Sequence, residues 1–175
     1  SLFGADHEEL ARYGDGEPNS HLRIRYAIER FGPLPNVHWS IANDLPDSDS
    51  TLNQAGVAVG QAISGNDPWN SLITATRPRF EPTAFGDQKF LSIQSIQSLG
   101  QVTGEAVISA RATESKPVGL VEDRSEHILK PRFPRYFFRR LFWSTLLSGG
   151  LPTYSGLDTA KSSDRGNTYI SGYYD

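Results

Sequence analysis

The chain has 175 residues, enough for one ordinary domain with a buried core. Hydrophobic residues make up 37% and aromatics 11%, a globular rather than a disordered composition, and the net charge of −3 argues against a nucleic-acid binder, which usually presents a basic face. Cysteine is absent, which excludes disulfides and thiolate metal sites, and no apolar run approaches the roughly 20 residues needed to span a bilayer.

In chain order, residues 1–19 are polar and glycine-containing and read as loop. Residues 20–31 carry Ile24, Ile28 and Phe31 at helical spacing, and Gly32-Pro33 stops that helix. Val37-His38-Trp39-Ser40-Ile41-Ala42 is a short β-prone run ending in the turn-rich Asn43-Asp44-Leu45-Pro46. Leu52, Ala55, Val59 and Ile63 predict a second helix, broken at Gly65-Asn66-Asp67-Pro68. Leu72 to Thr76 and Phe90 to Ile96 predict strands, and Val102, Ala106 and Ala110 mark a helix. Pro117 to Val121 is a strand running into Glu122-Asp123. The strongest helix spans 135–147, with Phe138, Leu141, Phe142 and Leu146 on one side, and Gly149-Gly150 ends it. Pro152-Thr153-Tyr154 begins a last short strand, and 159–175 shows no clear element. Strands alternating with helices favour parallel βαβ units, in an open sheet or in part of a barrel. No N-terminal stretch has the order of a signal peptide. Position 1 is serine and methionine is absent, so the chain reads as a processed product, an excised piece or an incomplete sequence.

Two carboxylates, Asp44 and Glu122, stand just past the ends of expected strands, where parallel α/β folds gather their reactive groups. Two such acids suit glycosidic bond cleavage: one protonates the leaving oxygen, and the other attacks the anomeric carbon or activates water. The plainer alternative for each is a loop or helix-capping acid. His7, His21, His38 and His127 lack metal-ligand spacing, so no metal is expected. Asp6-His7-Glu8-Glu9 reads as solvated loop charge, with a place along the cleft as the alternative. The basic and aromatic residues of 130–140 read as an amphipathic helix with its arginines at the rim, not as a nucleic-acid surface.

At these residues a family resemblance enters. Phe31-Gly32-Pro33-Leu34-Pro35-Asn36-Val37-His38-Trp39-Ser40-Ile41-Ala42-Asn43-Asp44 resembles the fourth-strand segment of clan A (β/α)₈-barrel glycoside hydrolases, which ends in Asn followed by the acid/base Glu. Lys116-Pro117-Val118-Gly119-Leu120-Val121-Glu122 resembles the seventh strand, which ends in the nucleophile. Arg140, Trp143, Leu146-Leu147-Ser148-Gly149-Gly150, Tyr154 and Gly156 resemble the following helix and eighth strand of apiosidase-like hydrolases. Asp67-Pro68-Trp69-Asn70-Ser71-Leu72-Ile73-Thr74 is similar to their entry to the fifth strand. The resemblance covers roughly 20–158. The chain departs from the pattern in carrying Asp44 where the family has Glu, and in lacking the first three strands and last helix of a barrel that usually takes about 250 residues.

The resemblance implies an α/β fold, the C-terminal part (about strands 4 to 8) of a (β/α)₈ barrel, with 1–19 as loop, 20–158 as barrel units and 159–175 as an irregular tail. It implies a retaining glycoside hydrolase with Glu122 as nucleophile and Asp44 in the acid/base position. Asn43, Arg77, Gln94, Glu126 and Tyr154 are the expected substrate-binding residues, with Glu126 the second choice of nucleophile. The expected partners are a carbohydrate substrate and the remainder of the barrel, from another chain or a further part of this one. No cofactor is needed for this chemistry. A secreted or periplasmic location fits the family. The alternatives are a non-catalytic carbohydrate-binding or structural protein on a decayed hydrolase barrel, or an unrelated open α/β binding domain.

Overall fold

The computed structural model describes residues 1–4, 7–78, 81, 84–97, 104–113, 115–121 and 134–153. Its elements in chain order are α1 (Glu8–Gly14), α2 (Pro18–Phe31), β1 (Trp39–Ser40), α3 (Ser50–Asn66), β2 (Ile73–Thr74), β3 (Gln94–Ile96), α4 (Glu105–Thr113), β4 (Val118–Leu120), α5 (Pro134–Leu147) and β5 (Leu151–Pro152). The alternation of strand and helix expected from the sequence is present, and the paired cores of the strands are shorter than their apolar runs.

Local chemistry explains most boundaries. Pro18 opens α2, where its missing N–H costs nothing and its fixed φ suits the first helical turn. Ser20, Ile24 and Ile28 then recur every four residues and are buried. Asp49 caps α3, accepting a 2.9 Å hydrogen bond from the Leu52 N–H through its side chain. The buried face of α3 is Ala55, Gly56, Val59, Gly60 and Ile63. Its two glycines let the chain at 85–90 lie directly on the helix. A Cβ at Gly56 would come to 2.7 Å from the Phe85 ring, and one at Gly60 to 2.3 Å from the Phe90 ring.

All described strand pairings are parallel. β1 pairs with β2, β3 with β4, and β4 with β5. The two ladders are joined where the Ser92 and Ile93 N–H groups both donate to the Ile73 carbonyl, at 2.8 and 3.2 Å. Neighbouring strands therefore follow chain order, as in a (β/α)₈ barrel and not as in an open sheet with a strand-order reversal. Side chains alternate between the two faces. Ile73 and Ala75 join a large core with Val59 and Ile63 of α3. Val118 packs with Val107 and Ala110 of α4, Leu120 packs with Phe138 and Leu141 of α5, and Ile96 touches both groups. The opposite, inner face carries small and polar groups: Thr74 and Ser95 meet there, Oγ to Oγ, at 2.5 Å.

The N-terminal segment differs from its expected loop. Phe3 forms a parallel bridge to Ala42, supported by the Leu2 N–H on the Ser40 carbonyl and the Phe3 N–H on the Ile41 carbonyl. Residues 8–14 are helical because Leu10 and Tyr13, three apart, are buried, while Glu8 and Glu9 sit favourably at the positive end of the helix dipole. With only two core-facing residues in seven, this helix has too little periodicity to stand out in the sequence. Phe3 also occupies the edge of β1, which the sequence alone leaves open.

Candidate functional site

The carboxyl ends of β1, β2 and β3 converge on Asn43-Asp44. Past β1 the backbone turns sharply, and Asp44 adopts the left-handed conformation at φ 49°, which Asp tolerates better than most residues. Three neighbours hold this turn. From the segment after Phe3, the His7 Nε2 lies 2.7 Å from the Asn43 carbonyl oxygen. A carbonyl only accepts, so that nitrogen carries its proton. From the end of β2, Thr76 Oγ1 accepts from the Asp44 N–H at 3.3 Å and donates to the Ala42 carbonyl at 3.2 Å. From the end of β3, Gln97 Nε2 donates to Asp44 Oδ1 at 2.7 Å. Asn43 and Asp44 are both partly exposed, so the carboxylate is fixed by its neighbours and still reachable.

Strand alternation separates the expected site residues. Thr76 shares the inner face with Thr74, while Arg77 follows Ile73 and Ala75 toward α3. The Arg77 guanidinium donates to the Leu45 carbonyl at 3.1 Å and to Asn53 Oδ1 at 2.7 Å, pairs with Asp47 at 2.9 Å, and lies 5.6 Å from the centre of the Phe85 ring. Burial pulls this guanidinium below its ordinary pKa, and the charges of Asp47 and Glu81 oppose that shift. Arg77 thus ties the loop after Asp44 to the start of α3, in place of the expected position along the cleft. Gln94 is likewise on the helix-facing side, paired in register with Val118, fully buried and without a hydrogen-bond partner among the described residues. Gln97, three residues on, has the opposite parity and reaches the rim. Glu122, Glu126 and Tyr154 lie outside the described residues.

Sequence reasoning missed Thr76 and Gln97, and gave His7 a place along the cleft only as the alternative reading of its polar cluster. The signal for Gln97 was available: the two-residue strand period that buries Ile96 against the helices sends Ser95 and Gln97 inward. His7 could be seen only as one of a polar cluster, because its partner is 36 positions away. Among the described residues no group of three His, Cys, Asp or Glu side chains is placed to hold a metal ion. An open groove of about 820 Å³ lies on the helix layer, bordered by Asp47, Asn53, Arg77, Phe85 and Asp87, and does not include Asp44.

No protein-family model and no curated protein matches this chain. Solved structures do. A glycoside hydrolase family 5 structure from Bacteroides vulgatus ATCC 8482 is similar over 77% of this chain and 35% of its own, at 21% identity and a TM-score of 0.59. A second structure from the same strain, provisionally assigned as a glycoside hydrolase, is similar over 91% of this chain and 32% of its own, at 19% identity and a TM-score of 0.69. A third, a glycoside hydrolase, is similar over 86% of this chain and 40% of its own, at 21% identity and a TM-score of 0.65. The chain therefore has a glycoside-hydrolase-like fold, part of a (β/α)₈ barrel, and spans between 32% and 40% of the second and third of these chains.

Proposed function

We propose that this chain is the C-terminal part of a retaining, apiosidase-like glycoside hydrolase barrel, with Asp44 as acid/base and Glu122 as nucleophile. The observation that carries the reading is the Asn43-Asp44 turn, held at the carboxyl ends of parallel strands by His7, Thr76 and Gln97. Supporting it, β4 runs in the same sense as its parallel neighbours and ends at Leu120, just before Glu122 in the chain. In this reading the Glu122 carboxylate attacks the anomeric carbon while Asp44 protonates the departing oxygen. Asp44 then takes a proton from the water that releases the sugar from Glu122. Asn43 hydrogen-bonds the sugar hydroxyl beside the anomeric carbon, and Glu126 and Tyr154 contact the sugar.

Asp44 is one methylene shorter than the expected Glu, which favours a second reading, a non-catalytic carbohydrate-binding barrel. Leaving-group dependence separates the two. A general acid contributes about 10²- to 10⁴-fold, and only where the departing oxygen needs a proton. Asp44→Asn should therefore cut kcat/KM strongly on an alkyl glycoside and far less on a dinitrophenyl glycoside, while Glu122→Gln should abolish both. Equal sensitivity of both substrates to Asp44→Asn would remove Asp44 from the acid role. A complete protein that binds the sugar but turns over neither substrate would favour the binding barrel.

A further inference from the structure

We infer that Gln97 is a positioning residue that fixes which oxygen of Asp44 handles the proton; this rests on the acid/base reading of Asp44. A carboxylate oxygen only accepts, so the atom of Gln97 facing Asp44 Oδ1 at 2.7 Å is its Nε2, which only donates. With an amide N–H directed at it, Oδ1 is a poor place for a proton. The catalytic proton is left to Oδ2, which is the oxygen that must face the glycosidic bond. Gln97 thus assigns one oxygen to the protein and the other to the substrate.

The need for such a clamp follows from the side chain and its backbone. An Asp on a left-handed turn has a short reach, and rotation about its last bond would exchange the two oxygens. The backbone at Asp44 is already fixed by Thr76 Oγ1, and the preceding carbonyl by His7. Gln97 supplies the remaining constraint, on the carboxylate itself. It follows directly after β3, which is joined to β2 through the Ser92 and Ile93 N–H groups on the Ile73 carbonyl, so the contact runs past β2 from the end of β3 to the turn after β1. The side chains that meet on the inner face, Thr74 and Ser95, are both small.

The first test needs no turnover. In the full protein with labelled glutamine, the Gln97 side-chain amide protons should carry the downfield shift of a charge-assisted hydrogen bond, and Asp44→Ala should remove it. An unshifted amide, or one indifferent to Asp44→Ala, overturns the inference whether or not the protein is a hydrolase. The second test uses activity. Gln97→Ala should lower kcat by up to about 100-fold, as for a misplaced catalytic group, with KM little changed. Gln97→Glu brings two carboxylates together, which holds a proton on the pair to higher pH and should move the alkaline limb of the pH–rate profile upward. A change confined to KM, or an alkaline limb that stays in place in Gln97→Glu, contradicts the clamp. Inactivity of the parent protein on every glycoside, with the amide shift intact, would sink the hydrolase reading and leave the Gln97–Asp44 contact standing.

Discussion

Asp44 and Asp67 show how differently two aspartates can be placed within one chain. Asp44 is partly exposed at the rim, with the Gln97 amide donating to it. Asp67, the residue that ends α3, is buried and accepts from the Trp39 indole at 3.0 Å, the Trp69 N–H at 3.0 Å and the Ser71 N–H at 3.1 Å. Burial alone would raise its pKa, but the donors together outweigh burial and the net shift is downward. The stabilisation that follows is present above the unfolded-state pKa, about 3.9, and is lost as pH falls through the lower folded-state pKa. Asp67→Asn should destabilise the protein near neutrality by about 1–3 kcal/mol, since donors lose a charged acceptor. The gap between variant and parent in urea melts should close as the pH is taken below 4 (about the unfolded pKa). A gap that widened in acid would contradict this. At this scale the sequence showed where Asn43-Asp44 lay, because an apolar run ended there. It did not show what held it, because His7, Thr76 and Gln97 are 36, 32 and 53 positions away.

Among the elements, α3 is read from its sequence more fully than any strand, and its glycines say why the helix layer sits so close. Intrinsic propensity makes any glycine in a helix unfavourable by roughly 1 kcal/mol relative to alanine. Gly60 is retained against that preference because Phe90 occupies the space a Cβ would need, whereas a Cβ at Gly65 would meet nothing within 4 Å. The two positions should respond with opposite sign. Gly65→Ala should stabilise by about 0.5–1 kcal/mol, and Gly60→Ala should destabilise by about 1–3 kcal/mol through overpacking. Thermal melts of both variants decide it, and a stabilising Gly60→Ala would show that the 85–90 segment is not packed on α3 as described. The strands were legible as apolar runs but not in length. β1 pairs at Trp39–Ser40 within an expected 37–42, because apolar character reports burial and pairing depends on where neighbouring backbones come into register. The same blindness to face put Gln94 and Arg77 at the cleft, when the two-residue period turns both toward the helices.

At the scale of the molecule, the described strands run parallel and in chain order from Phe3 to β5, in two ladders linked at the Ile73 carbonyl, which is the order a partial barrel requires and which βα alternation alone left open between barrel and open sheet. Both flanks carry exposed apolar side chains. Leu22 and Tyr26 lie on α2, and Trp143, Leu147 and Leu151 lie on α5 and β5, the last three each at least half exposed. Such faces in a barrel belong against neighbouring βα units, in keeping with a chain that spans about a third of the hydrolase structures it is similar to. The missing units, from another chain or a further part of this one, are the proposed cover for both flanks. The likeness in fold does not by itself carry chemistry, since barrels of this kind support many reactions. The most direct measurement is therefore a trap for the covalent intermediate. The complete protein is incubated with a 2-deoxy-2-fluoro glycoside bearing a good leaving group, and the labelled peptide is identified by mass spectrometry. One glycosyl group should be found esterified to Glu122, and none in Glu122→Gln. Rapid hydrolysis without any trapped ester, or a label on another carboxylate such as Glu126, would contradict it.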